Sequence, residues 1–278
     1  MECRACAKLN LYLDITGVLP DGYHSLCSVM QSVDLYDTVS VEIADEISLS
    51  TNKAYIPTDE RNTAYKAAKV FFETTGIKGG ADINIKKIIP VGAGMAGGST
   101  DAAAVLNLLN ILYGMPLSDE ELAKAALKVG ADVPFCLAGG TMLAEGKGEK
   151  LTRLPRLPKC FFVIVKPDFS VSTKDAYRLF DEQGGDCPSV DGILNALERK
   201  SVGDICANMG NDLEKCIASV YPQVDQIKHK LHQLGAVGAM MTGSGSAVFG
   251  IFDNIGLAQR AADVLKKPKQ RVFVCRPV

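Results

Sequence analysis

Four glycines and no basic residue stand in PVGAGMAGGSTDAAA, residues 90–104, the stretch of the chain with the plainest chemical potential. With few side chains in the way, backbone N–H groups there can converge on an anion, and the alanines that follow can open a helix. The N–H groups at the start of that helix and its positive dipole end would face the same anion. Phosphate binding is the chemistry this favours. Two other glycine patterns overlap the stretch. Gly92, Gly94 and Gly97 fit the dinucleotide fingerprint G-x-G-x-x-G, but Pro90 interrupts the run into the first glycine, and the fingerprint normally opens the first β-α-β unit of a chain. Gly92 and Gly97 also have Walker spacing, yet Gly98 and Ser99 stand where that loop needs Lys and Ser or Thr.

Other residues with chemical potential are scattered. Leu9, Leu11 and Leu13 alternate with Asn10, Tyr12 and Asp14, so residues 7–17 read as a strand with Lys8 and Asn10 on one face. A Pro-Asp-Gly turn in residues 19–23 can present Tyr23 and His24 to a ligand, or leave the tyrosine on the core beside a surface histidine. Asp132, in GADVPFCLAGG, reads as the cap of a short helix with Pro134 near its first position, and a chemical role stays open beside that. TGSGS, residues 242–246, reads as a tight turn between two strands. Cys3 with Cys6 and His229 with His232 have ligand-like spacing, but the pairs lie far apart and no second C-x-x-C exists, so no zinc site is expected.

The elements that must hold these residues are legible in outline. Alternation marks strands in residues 39–43, 47–50, 81–89, 160–166, 237–241, 247–252 and 271–275; helical spacing marks residues 62–75, 99–113, 120–129, 189–200, 212–220, 223–234 and 255–267. Ser118 with Glu121 is a capping box, and Gly76 a helix stop. The glycine loop thus lies between a strand and a helix. Prolines at 155 and 158 mark a linker, dividing the chain into domains of residues 1–153 and 160–278.

Composition narrows the function classes. A net charge of -2 argues against a nucleic-acid partner, and no apolar run is long enough for a membrane span or a signal peptide. Nine cysteines at irregular spacing suit reduced thiols and a cytoplasmic location better than a disulfide framework.

Taken in order, K-L-N, D-G-Y-H, the central P-x-G-A-G-x-x-G-G-S-T-D-A-A-A, G-A-D-V-P-F and T-G-S-G-S-A-V-F resemble the GHMP kinases from residue 7 to about residue 252. D-G-Y-H and G-A-D-V-P-F narrow the resemblance to kinases of a CDP-linked sugar alcohol in the non-mevalonate isoprenoid pathway. The nearer alternatives are homoserine or mevalonate kinases, and the farther one a dinucleotide-dependent oxidoreductase. The resemblance implies an α+β fold of two domains, the first like domain 2 of ribosomal protein S5 and the second ferredoxin-like. It implies ATP as co-substrate, magnesium carried with the triphosphate, and small-molecule partners only, with monomer and homodimer both open. Lys8 and Asp132 are then the expected catalytic residues. ATP falls to Asn62, which could equally cap its helix, and to Pro90, Val91, Gly92, Ala93, Gly94, Met95, Ala96, Gly97, Gly98, Ser99 and Thr100. The second substrate falls to Asn10, Tyr23, His24, Lys147 and Tyr177, with Tyr23 and Tyr177 stacking on cytosine. Gly243, Ser244 and Gly245 support the phosphate region. Met95, Ala96 and Thr100 stand where the family usually has Leu, Gly and Ser, so a slightly altered loop is expected, chiefly if position 96 needs a positive φ.

Overall fold

The computed structural model describes all residues, Met1–Val278. The first half runs β1 (Glu2–Val18), β2 (His24–Ala44), β3 (Ser48–Thr51), α1 (Thr63–Thr75), β4 (Gly80–Lys86), α2 (Gly97–Leu112), α3 (Asp119–Val129), α4 (Val133–Ala138), β5 (Thr141–Gly146) and β6 (Lys150–Arg153). The second half runs β7 (Phe161–Lys166), α5 (Thr173–Gln183), α6 (Val190–Arg199), α7 (Val202–Ala207), β8 (Gly210–Asn211), α8 (Asp212–Val220), α9 (Gln223–Gln233), β9 (Gly238–Met241), β10 (Val248–Phe252), α10 (Ile255–Leu265) and β11 (Arg271–Cys275). No helix is long and apolar enough to cross a membrane. None of the nine cysteines forms a disulfide.

Two compact units are present, and they interleave along the chain instead of parting at the proline linker. One comprises Met1–Ala7, Leu35–Pro90 and Ala96–Gly139; the other comprises Lys8–Asp34, Val91–Met95 and Gly140–Val278. The cause is strand length: β1 has 17 residues and β2 has 21, and each supplies strand to both units. Alternation alone reported only the part of β2 whose second face is polar.

In the first unit β2 pairs antiparallel with β4 from Thr38↔Lys86 to Ala44↔Gly80, and β3 pairs parallel with β4. Ala81, Ile83 and Ile85 point inward from β4, onto a core that includes Ala67, Phe71, Val105 and Leu109. Helix α1 begins where Asn62 accepts the Ala64 N–H and ends where the Gly76 N–H donates to Phe72. Helix α3 carries the complete capping box of Ser118 and Glu121.

In the second unit β5 pairs antiparallel with Leu26–Gln31 of β2, β6 extends β5, and β8 lies parallel to β1 at Tyr12↔Gly210. A separate four-stranded antiparallel sheet has the order β11-β7-β10-β9. Its core joins Val163 and Val165 to Val224 and Leu231 of α9 and Ala258 and Ala262 of α10.

Candidate active site

Lys8 and Asn10 do share one face of β1, and they meet in the second unit. Lys8 is only 5% exposed, and its ammonium donates to Asn10 Oδ1 at 2.5 Å. No carboxylate of its own unit pairs with it, so a positive charge is held at this point by a neutral amide. Asn10 is itself fixed: its Nδ2 donates to Ser28 Oγ at 2.8 Å, and Ser28 Oγ donates to the Tyr12 carbonyl at 2.6 Å. The Asn10 N–H donates to Thr242 Oγ1 at 3.0 Å, and Thr242 Oγ1 donates to the Gly94 carbonyl at 3.3 Å. The Lys8 N–H reaches the Met95 carbonyl at 3.2 Å. Lys8 therefore sits on a network that ties the first glycine segment to TGSGS.

The two glycine segments of this unit lie against each other. Gly94 has φ +72, and a Cβ there would stand 2.1 Å from the Thr242 carbonyl oxygen. Gly243 has φ +55, and a Cβ there would stand 2.9 Å from the Gly94 oxygen and 3.2 Å from Asn10 Oδ1. Glycine at these positions makes room for backbone of the same protein, a need that the sequence had assigned to a ligand. Ala93 and Met95 are buried, Val91 and Gly92 exposed, and the Ala93 carbonyl accepts the Ala247 N–H. Gly245 N donates to the Thr242 carbonyl, closing the turn, and Ser244 Oγ lies 3.2 Å from Thr173 Oγ1.

In the first unit the glycine stretch resumes as the start of α2. Ala96 is its N-cap residue, at φ 55 and ψ 29, with no side-chain cap. The departure from glycine thus puts an L-residue in the left-handed region, at a cost of about 1 kcal/mol. The N–H groups of Gly97, Gly98 and Ser99 lack side-chain caps and remain available to an anion. The helix starts two residues earlier than its first hydroxyl suggested. Thr100 Oγ1 is spent on the Cys6 carbonyl at 2.6 Å, which leaves Ser99 as the hydroxyl of the pair with no partner in the protein. Asn62 fulfils the capping role that the sequence left open, and its Nδ2 donates to the Pro57 carbonyl at 2.8 Å.

Asp132 is half-buried at the N-cap position of α4, but its backbone is helical and its side chain makes no capping bond. The structural use that the sequence offered for this carboxylate is not made.

A buried charge cluster below the start of α2 escaped the sequence reading. Lys87 Nζ pairs with Asp37, donates to Asp101 Oδ2 at 2.5 Å and to the Gly97 carbonyl at 3.1 Å. Asp37 also accepts the N–H groups of Ile88 and Ile89. Burial pushes the Asp101 carboxyl up to about 7, against the pull of Lys87 and with the push of Asp37. Asp37 and Asp101 thus share one ammonium beneath the helix end, and Asp101 Oδ1 has no partner.

The remaining candidates form a group on the second unit. His24 stacks on Tyr177, ring centroids 4.6 Å apart, meets Phe180 edge-on at 6.2 Å, and holds Asp181 Oδ1 at 2.7 Å through Nε2. Lys147 lies 4.4 Å over the Tyr23 ring and pairs with Asp21, which lowers the Asp21 carboxyl and raises the ammonium. Tyr177 therefore presents one face to His24, and a base stacks on it only by taking the other face or displacing the imidazole. Phe180 and Asp181 were missed, since neither belongs to a sequence motif, and Asp21, which opens D-G-Y-H, was read only as a turn residue.

Residues 62–140 match the GHMP kinases N terminal domain, and residues 193–270 match GHMP kinases C terminal. A 4-diphosphocytidyl-2-C-methyl-D-erythritol kinase of Clostridium beijerinckii is 46% identical over 280 residues, covering 100% of both chains. One of Clostridium botulinum is 47% identical with the same coverage. A crystal structure of 4-(cytidine 5'-diphospho)-2C-methyl-D-erythritol kinase superposes with a TM-score of 0.83 at 36% identity, over 100% of this chain and 99% of that one. A homoserine kinase from Cytophaga hutchinsonii, at 21% identity and a TM-score of 0.76 over 98% of this chain and 94% of its own, shares the fold alone. Matched in both halves by GHMP kinase domains and end to end by these relatives, the chain belongs to the GHMP kinases and, among them, to the 4-diphosphocytidyl-2-C-methyl-D-erythritol kinase family.

Proposed function

We propose that this small-molecule kinase transfers the γ-phosphate of ATP to the 2-hydroxyl of 4-diphosphocytidyl-2-C-methyl-D-erythritol, giving the 2-phosphate and ADP. The observation that carries the reading is the buried Lys8–Asn10 pair, hydrogen-bonded into both glycine segments of its unit. Phosphoryl transfer asks a protein for positioning and charge neutralisation more than for covalent chemistry. Asp132, not engaged in capping, accepts the hydroxyl proton as the oxygen attacks the γ-phosphorus, and the bond from that phosphorus to the bridging oxygen of ADP breaks. Lys8 offsets the charge that develops on the transferring group. The uncapped N–H groups at the start of α2 and the loop around Gly92 hold the phosphates, and Asn62 lies by adenine. Magnesium, when it comes with the triphosphate, spreads the phosphate charge, and Ser99 is the free hydroxyl this chain offers it. Tyr23, His24 and Tyr177 read the cytosine, with Lys147 toward the diphosphate. The cytoplasm supplies such nucleotides and suits a chain of nine cysteines without disulfides.

The test is an acceptor panel with ATP and magnesium. Rapid ADP formation with the CDP-linked alcohol and none above background with homoserine or mevalonate is expected; the reverse preference would refute the reading.

A further inference from the structure

Asn211 uses its whole side-chain amide inside the second unit. Its Oδ1 accepts the Leu213 N–H at 3.0 Å and so caps α8. Its Nδ2 donates to two carbonyls, Met241 and Gly243, each at 2.9 Å. From the first turn of α8, Glu214 Oε2 accepts the Met241 N–H at 2.5 Å, while its Oε1 pairs with Lys228. The entry to TGSGS is therefore held from three backbone groups by two side chains of one helix end. That helix end is in turn tied to the strand that carries Lys8 and Asn10: Leu13 registers with Asn211, and Asp212 Oδ2 accepts the Ile15 N–H at 2.8 Å.

What the clamp holds in place is Gly243, whose backbone fits against the Gly94 carbonyl and Asn10 Oδ1 with no room for a methyl group. A shift of Gly243 would be felt directly at the atom that accepts the Lys8 ammonium. We propose that Asn211 is a positioning residue for phosphoryl transfer, setting the TGSGS turn against the Lys8–Asn10 pair. The proposal rests on the reading of Lys8 given above. It touches no substrate. Its effect is carried by the turn, so it falls on turnover and leaves the ground-state affinity for either substrate nearly intact.

Asn211→Ser keeps an acceptor for the α8 cap and removes the paired amide donors; Asn211→Asp keeps the cap and sets a carboxylate oxygen against the two carbonyls. Leu213→Ala, a buried truncation two residues along the chain that removes none of the side-chain hydrogen bonds to the turn, supplies a matched loss of stability. Steady-state kinetics with both substrates, well below each variant's Tm, are expected to show kcat down by about tenfold or more in the two Asn211 variants, with both KM values within about twofold. Leu213→Ala is expected to melt lower and keep its kcat. The proposal is overturned if whichever Asn211 variant folds keeps wild-type kcat, or if Leu213→Ala loses kcat to the same degree. Lys8→Ala, assayed alongside, separates the two levels: a dead Lys8→Ala with a normal Asn211 variant removes the positioning role alone, and a fully active Lys8→Ala removes the site reading with it.

Discussion

Gly94→Ala tests whether the glycine segment is shaped by its own protein. The new Cβ would lie 2.1 Å from the Thr242 carbonyl oxygen and 3.1 Å from Gly245 N, both backbone atoms, so the turn must retreat by about 1 Å. Overpacking of this kind costs ~1–3 kcal/mol. Holding an L-residue at φ +72 adds ~1–2 kcal/mol, and the stiffer unfolded chain returns ~0.4–1 kcal/mol. The net loss is ~2–4 kcal/mol, which for a chain of this length lowers Tm by about 4–8 °C. Gly22→Ala isolates the backbone part, because Gly22 has φ +82 with nothing within 4 Å of its Cβ position. Thermal unfolding of the two variants beside wild type decides the matter. If Gly94→Ala loses no more than Gly22→Ala, the close approach of Thr242 to Gly94 is not what the glycine is for.

Ala96→Gly should stabilise by about 0.5–1 kcal/mol, since it relieves a left-handed alanine at φ 55 and returns part of the gain through the looser unfolded chain; an unchanged or lower urea midpoint would contradict this. Asp101 holds its proton in the folded protein up to about pH 7, whereas the unfolded group releases it near 3.8, so its contribution is fully present below pH 3.8 and is lost as pH rises through 7. Urea unfolding at pH 5 and pH 8 should show that fall, and Asp101→Asn should flatten it; an equal slope in the variant would place the titration elsewhere. Tyr177→Ala should raise KM for the CDP-linked substrate about tenfold or more with that for ATP nearly unchanged, and His24→Ala should narrow the preference for cytosine over uracil. Full cytosine affinity and preference in both would move base recognition away from this pair.

Local signals were legible where a few neighbouring residues decide the structure. Asn62 and Gly76 bound α1, Ser118 with Glu121 opens α3, and alternation sets the face that Lys8 and Asn10 share, because each depends on spacing within a few residues. The glycine stretch was placed correctly between strand and helix, but its spacing does not reveal that Gly94 and Gly243 accommodate each other across 149 positions of sequence. The same holds for Lys87: its two carboxylates lie 50 residues before it and 14 after, on elements whose own patterns give no hint of a shared charge. β5 and β6 were missed since they are short and end in glycine and charged residues, and α5 since only Ala176 of its face is fully buried. Interleaved units were beyond a reading that cuts the chain at its prolines, because long strands serve two cores without any change in composition.

Asp132 is proposed to draw the proton from a hydroxyl of the CDP-linked alcohol while ATP supplies the phosphoryl group. Phosphorus NMR of wild type and Asp132→Asn, each with ATP, magnesium and that alcohol, measures it directly. One new phosphomonoester resonance per ADP formed is expected in wild type, with the diphosphate of the alcohol unaltered. In Asp132→Asn the same product is expected at a rate about 10² to 10⁴ lower, with ATP still bound. A wild-type enzyme that makes no phosphomonoester would contradict the proposed transfer, and an Asp132→Asn enzyme that makes it at the wild-type rate would contradict the role of Asp132.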